Sequence, residues 1–251
     1  MPAVHAGSQS WVHHSFVRVN DDGIKPFLSD SVFEDLVIWQ QTNGWAIMLS
    51  WLTQGMQRNI SVRGVTVLHD DHDHDYPVDG CDPCVPNQAT IGAVHGGDGT
   101  VTDVVVENVV VETTVWRPIW LGQCAGAQHA HACLLPALLS AHPMTTDHVH
   151  TRHPVTPLTG IDKSKWASQG GGRLLNWKLT NIKIAGGTVN STILGAWPHP
   201  GSNCSVDGIH FHNLQLAGRT AKSAKVAEMD ISNACSVDFS PREMPVSAVR
   251  A

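Results

Sequence analysis

Ile60-Ser-Val-Arg-Gly-Val-Thr-Val67 and Val104-Val-Val-Glu-Asn-Val-Val-Val111 share a pattern that returns in Trp177-Lys-Leu-Thr-Asn-Ile-Lys-Ile184 and Ile209-His-Phe-His-Asn-Leu-Gln-Leu216. Each octapeptide has apolar residues at its first, third, sixth and eighth positions, with Gly or Asn at the fifth. The period is two on either side of that fifth residue, where the phase slips by one. A strand, a one-residue bend and a second strand produce this pattern, because Asn and Gly tolerate the left-handed backbone a tight bend needs. Ser31 to Ile38 follows it more loosely through Phe33, Asp35, Leu36 and Ile38, and Ser10 to Val17 more loosely still.

The units begin at residues 10, 31, 60, 104, 177 and 209, at intervals of 21, 29, 44, 73 and 32. A step of 21 residues between strands of the same register is about one turn of a parallel β-helix, in which coils stack and insertions are left on the outside. No amphipathic helix of ordinary length is visible, which argues against βαβ architecture. The expected fold is all-β: a right-handed, single-stranded parallel β-helix. An antiparallel sandwich with similar strands is the alternative. Residues 1–121 and 173–240 are expected to form one β-helix domain, with a polar C-terminal tail over 241–251. Residues 122–172, rich in Ala, His, Pro and Gly, lack the repeat and read as an irregular or disordered insertion, a functional lid being the other option.

Composition narrows the function. The 251 residues carry 16 Lys+Arg against 22 Asp+Glu, a formal charge of −6, and 42% of them are hydrophobic. Chains that stay disordered lack that apolar content. The acidic balance, with no basic stripe, argues against a nucleic-acid partner, and no apolar run approaches the roughly 18 residues of a membrane span. Met1-Pro2-Ala3-Val4-His5 opens without a basic or apolar leader, so no signal peptide is read in this chain. Six cysteines are too few for a disulfide scaffold. Three sequons, at Asn59, Asn190 and Asn203, matter only in a secreted protein.

Two sites suggest chemistry. Val19-Asn20-Asp21-Asp22-Gly23-Ile24-Lys25 directly follows the first coil's strand. Adjacent carboxylates repel unless solvated or used, and glycoside hydrolysis uses one protonated and one ionised carboxyl group. Asn-Asp-Asp-Gly is also good turn chemistry by itself. Shifting by 21 residues sets Asp22-Gly23-Ile24 beneath Asn43-Gly44-Trp45, with Lys25 near the sheet edge. Trp45, among Trp39 and Trp51, is the expected stacking surface for a sugar ring, with Asn20, Lys25 and Asn43 orienting it. The second site is His69-Asp70-Asp71-His72-Asp73-His74-Asp75 followed by Asp79, Cys81, Asp82 and Cys84, which has the ligand types of a metal site but no second pair at closed zinc spacing. An acidic loop there would repel uronate polymers and favour a neutral glucan. If oxidised, Cys81 and Cys84 would pair with each other.

Here the sequence resembles glycoside hydrolase family 49, the dextranases and isopullulanases, through Val19-Asn20-Asp21-Asp22-Gly23-Ile24-Lys25, Ile38-Trp39-Gln40, Asn43-Gly44, Ile47-Met48-Leu49-Ser50-Trp51 and Val65-Thr66-Val67-Leu68-His69. A weaker likeness runs through Ala89 to Ala93, 104–121, 173–195 and Val206 to Gly218. The resemblance implies a right-handed parallel β-helix of the pectin-lyase-like kind and an inverting, endo-acting hydrolysis of α-glucan such as dextran or pullulan. It maps the proton donor onto Asp21 and a share in activating the water onto Asp22. The family's further aspartate would fall at Pro2 or before it, so the resemblance implies coils upstream of this chain. Polygalacturonases, with the same architecture and an Asp-Asp pair, are the nearest rival. The expected partner is a polysaccharide, with no cofactor, no nucleic acid and no membrane; the protein is expected to be extracellular, and a monomer when the upstream coils are present. A carbohydrate-binding relic without turnover and a metal-loaded module are the competing readings.

Overall fold

The computed structural model describes residues 4–5, 8–41, 44–50, 55–71, 89–95, 99–123, 172–195 and 204–241. These residues are all-β, with no helix among them. One sheet is built from short strands: β1 (Val4–His5), β3 (Ile24–Lys25), β5 (Ile47–Ser50), β7 (Ile91–His95), β9 (Ile119–Gln123), β11 (Ser191–Leu194) and β15 (Met229–Ser232), neighbours in that order. The other is built mainly from long ones: β2 (Trp11–Val19), β4 (Ser31–Gln40), β6 (Met56–Asp70), β8 (Thr100–Val115), β10 (Arg173–Gly187), β12 (Val206–His212) and β16 (Cys235–Ser240), with β13 (Gln215–Leu216) and β14 (Arg219–Thr220) beyond β10. Every pairing is parallel except β13 with β14. Up to β12 the chain alternates between the sheets and returns each time to the growing edge, an arrangement consistent with a solenoid.

The octapeptides are neighbours in register. Trp11 pairs with Val32, Ser31 with Ile60, Ile60 with Val104, Val104 with Trp177, and Trp177 with Ile209. The pairing of β8 with β10 spans the segment set apart in the sequence; of 122–172, only 122–123, which end β9, and Gly172 are described. The fifth residue of every unit has positive φ: His14, Asp35, Gly64, Asn108, Asn181 and Asn213, all between 50° and 60°. A second left-handed column stands one residue before each unit, at Gln9, Asp30, Asn59, Asp103, Asn176 and Gly208. Between these bends the alternation of a pleated strand turns the first, third, sixth and eighth side chains inward. Val62, Val106, Leu179 and Phe211 are accordingly buried in one continuous core with Ile24, Ile47, Ile91 and Ile119 of the short strands. A disulfide joins Cys204, just before β12, to Cys235 at the start of β16.

On the short-strand sheet, the residues alternating with those inward isoleucines face away from the core. Met48, Gly92 and Trp120 stand in register there. Met48 and Trp120 pack with Trp45 and Ala89 into a second apolar cluster, flanked by Phe27. Gly92 is required at this point, since a Cβ would stand 2.7 Å from the Trp45 ring and nearer still to the Trp120 carbonyl.

Candidate active site

The aspartate pair lies in the corner between β2 and β3. Val19 ends β2 with its side chain in the core, Asn20 is exposed, Asp21 is half-buried and Asp22 is buried. The next corner is longer. Four residues separate Val19 from Ile24, whereas six separate their register partners Gln40 and Ile47. The offset from β3 to β5 is therefore 23 residues rather than 21. Asp22 consequently sits against Trp45, and not beneath Asn43 as the sequence reading expects.

Two backbone hydrogen bonds clamp the corners together, from Gly23 N to the Trp45 carbonyl at 2.7 Å and from Ile24 N to the Ala46 carbonyl at 3.1 Å. The Asp22 carboxylate adds a third, with Oδ1 accepting from Trp45 N at 2.9 Å. Its Oδ2 lies 2.5 Å from the ammonium of Lys25, itself nearly buried and 5.9 Å from the centre of the Phe27 ring. Asp21 Oδ1 accepts from the backbone N–H of Asp22 at 2.8 Å, and the Asp21 carbonyl accepts from Gln40 Nε2 at 2.9 Å. Gly44, at φ +85°, crosses directly over the Asp21–Asp22 peptide. Burial pushes the Asp22 carboxyl above its ordinary pKa, and the charge of Asp21 adds to this; Lys25, by hydrogen bond and charge, and the Trp45 N–H act in the opposite direction.

The structure thus brings together Asp21, Asp22, Lys25 and Trp45, with Asn20 at the solvent edge. Asn43 and Trp51 lie outside the described residues. Trp45 requires a correction: at 3% exposure its ring is packed into the second apolar cluster and is no open stacking surface for a sugar. Trp39 is half-buried, between the Arg18 guanidinium 5.1 Å from its centre and the His69 ring at 5.3 Å.

Sequence reasoning missed the buried supports of this corner. Gln40 is fully buried and holds the Asp21 carbonyl, and its register partner Asp70 accepts from Thr90 Oγ1 at 2.5 Å. The available signal was a Gln and an Asp ending two aligned strands where Val19 ends the first. Arg117 was also missed. It is buried against the rings of Trp116 and Trp120, at 4.4 and 4.5 Å from their centres, and its pKa falls to about 9 because burial outweighs the attraction of Asp230.

Of the histidine–aspartate run, residues 69–71 are described: His69 Nδ1 lies 3.1 Å from Asp71, and Asp70 faces Thr90. Residues 72–84, with Cys81 and Cys84, lie outside the described residues. Among the described residues no three His, Cys, Asp or Glu side chains converge on a metal position. No protein-family model and no curated protein matches this sequence.

Proposed function

We propose that this chain is a right-handed parallel β-helix of a secreted polysaccharide hydrolase, endo-cleaving a neutral α-glucan such as dextran or pullulan with inversion. Asp21 is the proton donor and Asp22 shares in activating the water. The observation that carries the reading is two adjacent carboxyl groups in unlike surroundings, Asp21 half-exposed and Asp22 buried with a raised pKa beside Lys25. Acid–base hydrolysis of a glycoside needs such a division between two carboxyl groups. The raised pKa by itself would favour Asp22 as the acid. Access decides otherwise, since Asp22 is covered by the Trp45 corner and a leaving oxygen meets Asp21 first. The Cys204–Cys235 disulfide supports an oxidising, extracellular setting.

A second reading, carbohydrate binding without turnover, is favoured by the engagement of both Asp22 oxygens, one by Trp45 N–H and one by Lys25. A base must turn a lone pair toward its water. The test is reducing-end release from dextran, pullulan and polygalacturonate, with Asp21→Asn alongside. Release from one glucan that vanishes in Asp21→Asn supports hydrolysis. Glucan binding without release selects the second reading, release from polygalacturonate alone moves the substrate to uronates, and neither binding nor release sinks both.

A further inference from the structure

On the long-strand sheet, well away from the aspartate corner in the sequence, an open groove of about 300 Å³ runs along the left-handed column at Asn108, Asn181 and Asn213. Their amides are linked in one direction across successive strands. Gln215 Nε2 donates to Asn213 Oδ1 at 3.2 Å, Asn213 Nδ2 to Asn181 Oδ1 at 3.1 Å, and Asn181 Nδ2 to Asn108 Oδ1 at 2.9 Å. Lys183, the buried Ile182 and the exposed Val110 complete the lining.

Backbone conformation does not demand this run of amides. The same column holds His14, Asp35 and Gly64 in the earlier coils, at the same positive φ. The neighbouring column meets the same need with separate Asn–Asp pairs, Asn59 with Asp30 and Asn176 with Asp103. Only at 108, 181 and 213 do uncharged amides follow one another, and Gln215 extends them beyond the bend. Each primary amide has two N–H donors and two lone pairs. At Asn181 and Asn213 the ladder uses one of each, so each keeps a second N–H and a second lone pair for a ligand, and these amides recur at the strand spacing of about 4.8 Å.

We propose that this groove is a secondary binding site for a neutral, hydroxyl-rich oligosaccharide lying across the strands. Vicinal hydroxyls donate and accept at once, as the amides do, and Val110 offers an aliphatic surface to a ring face. A single ammonium at Lys183 does not make a polyanion site, and a chain of net charge −6 disfavours nucleic acid. A site on this sheet would hold a polymer while the aspartate corner engages another part of the same chain, raising its effective concentration there.

Titrating the 15N-labelled protein with a soluble dextran oligosaccharide reads the side-chain NH2 resonances of the three asparagines and Gln215. They are expected to shift in wild type. Asn181→Gly keeps the left-handed bend, as Gly64 does in the same column, and is expected to weaken the groove's binding by about tenfold through lost hydrogen bonds. The paired change Lys183→Ala with Gln215→Ala alters only side chains outside the left-handed positions and should weaken it likewise. Asp21→Asn should leave these shifts intact, so failure of the hydrolase reading and failure of this one are separable. Amide resonances that stay still at millimolar oligosaccharide, or binding unchanged in both groove variants, would overturn the proposal.

Discussion

The bond between Cys204 and Cys235 closes a loop with a sequence separation of 31 residues, which contains β12 through β15. In the chain-entropy description, a loop of that length restricts the unfolded ensemble by about 12 cal/mol/K, or about 3.7 kcal/mol at room temperature. For a chain of this size each kcal/mol moves the melting temperature by about 2–4 °C, so the double variant Cys204→Ala/Cys235→Ala should melt about 7–15 °C lower. The loss should concentrate at one end. Among the described residues β16 pairs only with β12, and its Val237 and Phe239 are partly buried against the core. Without the cross-link, amides of β16 should exchange with solvent much faster than those of β6 and β8, which have a parallel neighbour on each side. Calorimetry and hydrogen exchange on oxidised wild type, reduced wild type and the double variant make the test. Equal melting temperatures in all three, with β16 protection unchanged, would refute the assigned role of the disulfide. Two free thiols at these positions in the unreduced, unfolded chain would refute the bond itself.

Gly44→Ala should destabilise the protein by about 2–4 kcal/mol in urea unfolding, from strain at positive φ and overlap with the neighbouring corner; its Cβ would stand 2.4 Å from Asp22 N. Gly55→Ala is the control, because it has a similar φ of +72° and no described residue within 4 Å of the added Cβ, and should lose only the conformational part. Asp22 leaves a pH signature. Its folded pKa lies above the ordinary 3.8, so the native state binds the proton more tightly and stability falls as pH rises from about 3.8 through the raised value. Asp22→Asn should abolish that decline in melting temperature against pH, and an identical slope in the variant would refute the burial argument. Trp120→Ala should cost about 3–5 kcal/mol by emptying the second apolar cluster, measured by thermal unfolding.

The long strands were legible because their signal is repeated and physical. A phase slip between two runs of alternation demands one residue that tolerates positive φ, and Gly64, Asn108, Asn181 and Asn213 are those residues. The second column carries a signal of the same kind, since Asp30, Asn59, Asp103, Asn176 and Gly208 are also turn formers. A seventh unit was hidden. Val237 and Phe239 align with Ile209 and Phe211, but Pro241, whose ring holds φ negative, stands where the fifth residue would be. The short strands, two to five residues long, offer no period to read. Nor could alternation distinguish a buried Trp45 from an exposed one, because a corner residue follows neither strand's phase.

The misreading of Trp45 and the burial of Asp22 have one cause. Had successive corners been equal, a step of 21 residues would have stacked Asp22 under Asn43. The two additional residues between Gln40 and Ile47 form a longer corner that Gly44, at a φ most residues avoid, turns back over the Asp21–Asp22 peptide. That fold-over delivers Trp45 N–H to the carboxylate and the Trp45 ring to the apolar cluster in the same movement. It also separates the two carboxyl groups into unlike surroundings, which no choice of residue types at 21 and 22 could do by itself. The two proposed readings, hydrolysis and binding without turnover, therefore differ on one point: whether this corner, in solution, lifts far enough for an Asp22 oxygen to meet water. Fast exchange of the Trp45 amide relative to the Ile24 amide, two bonds of the same clamp, would show that lift; equal protection of both would leave Asp22 as the latch that holds the corner and Asp21 as the one of the pair that faces a ligand.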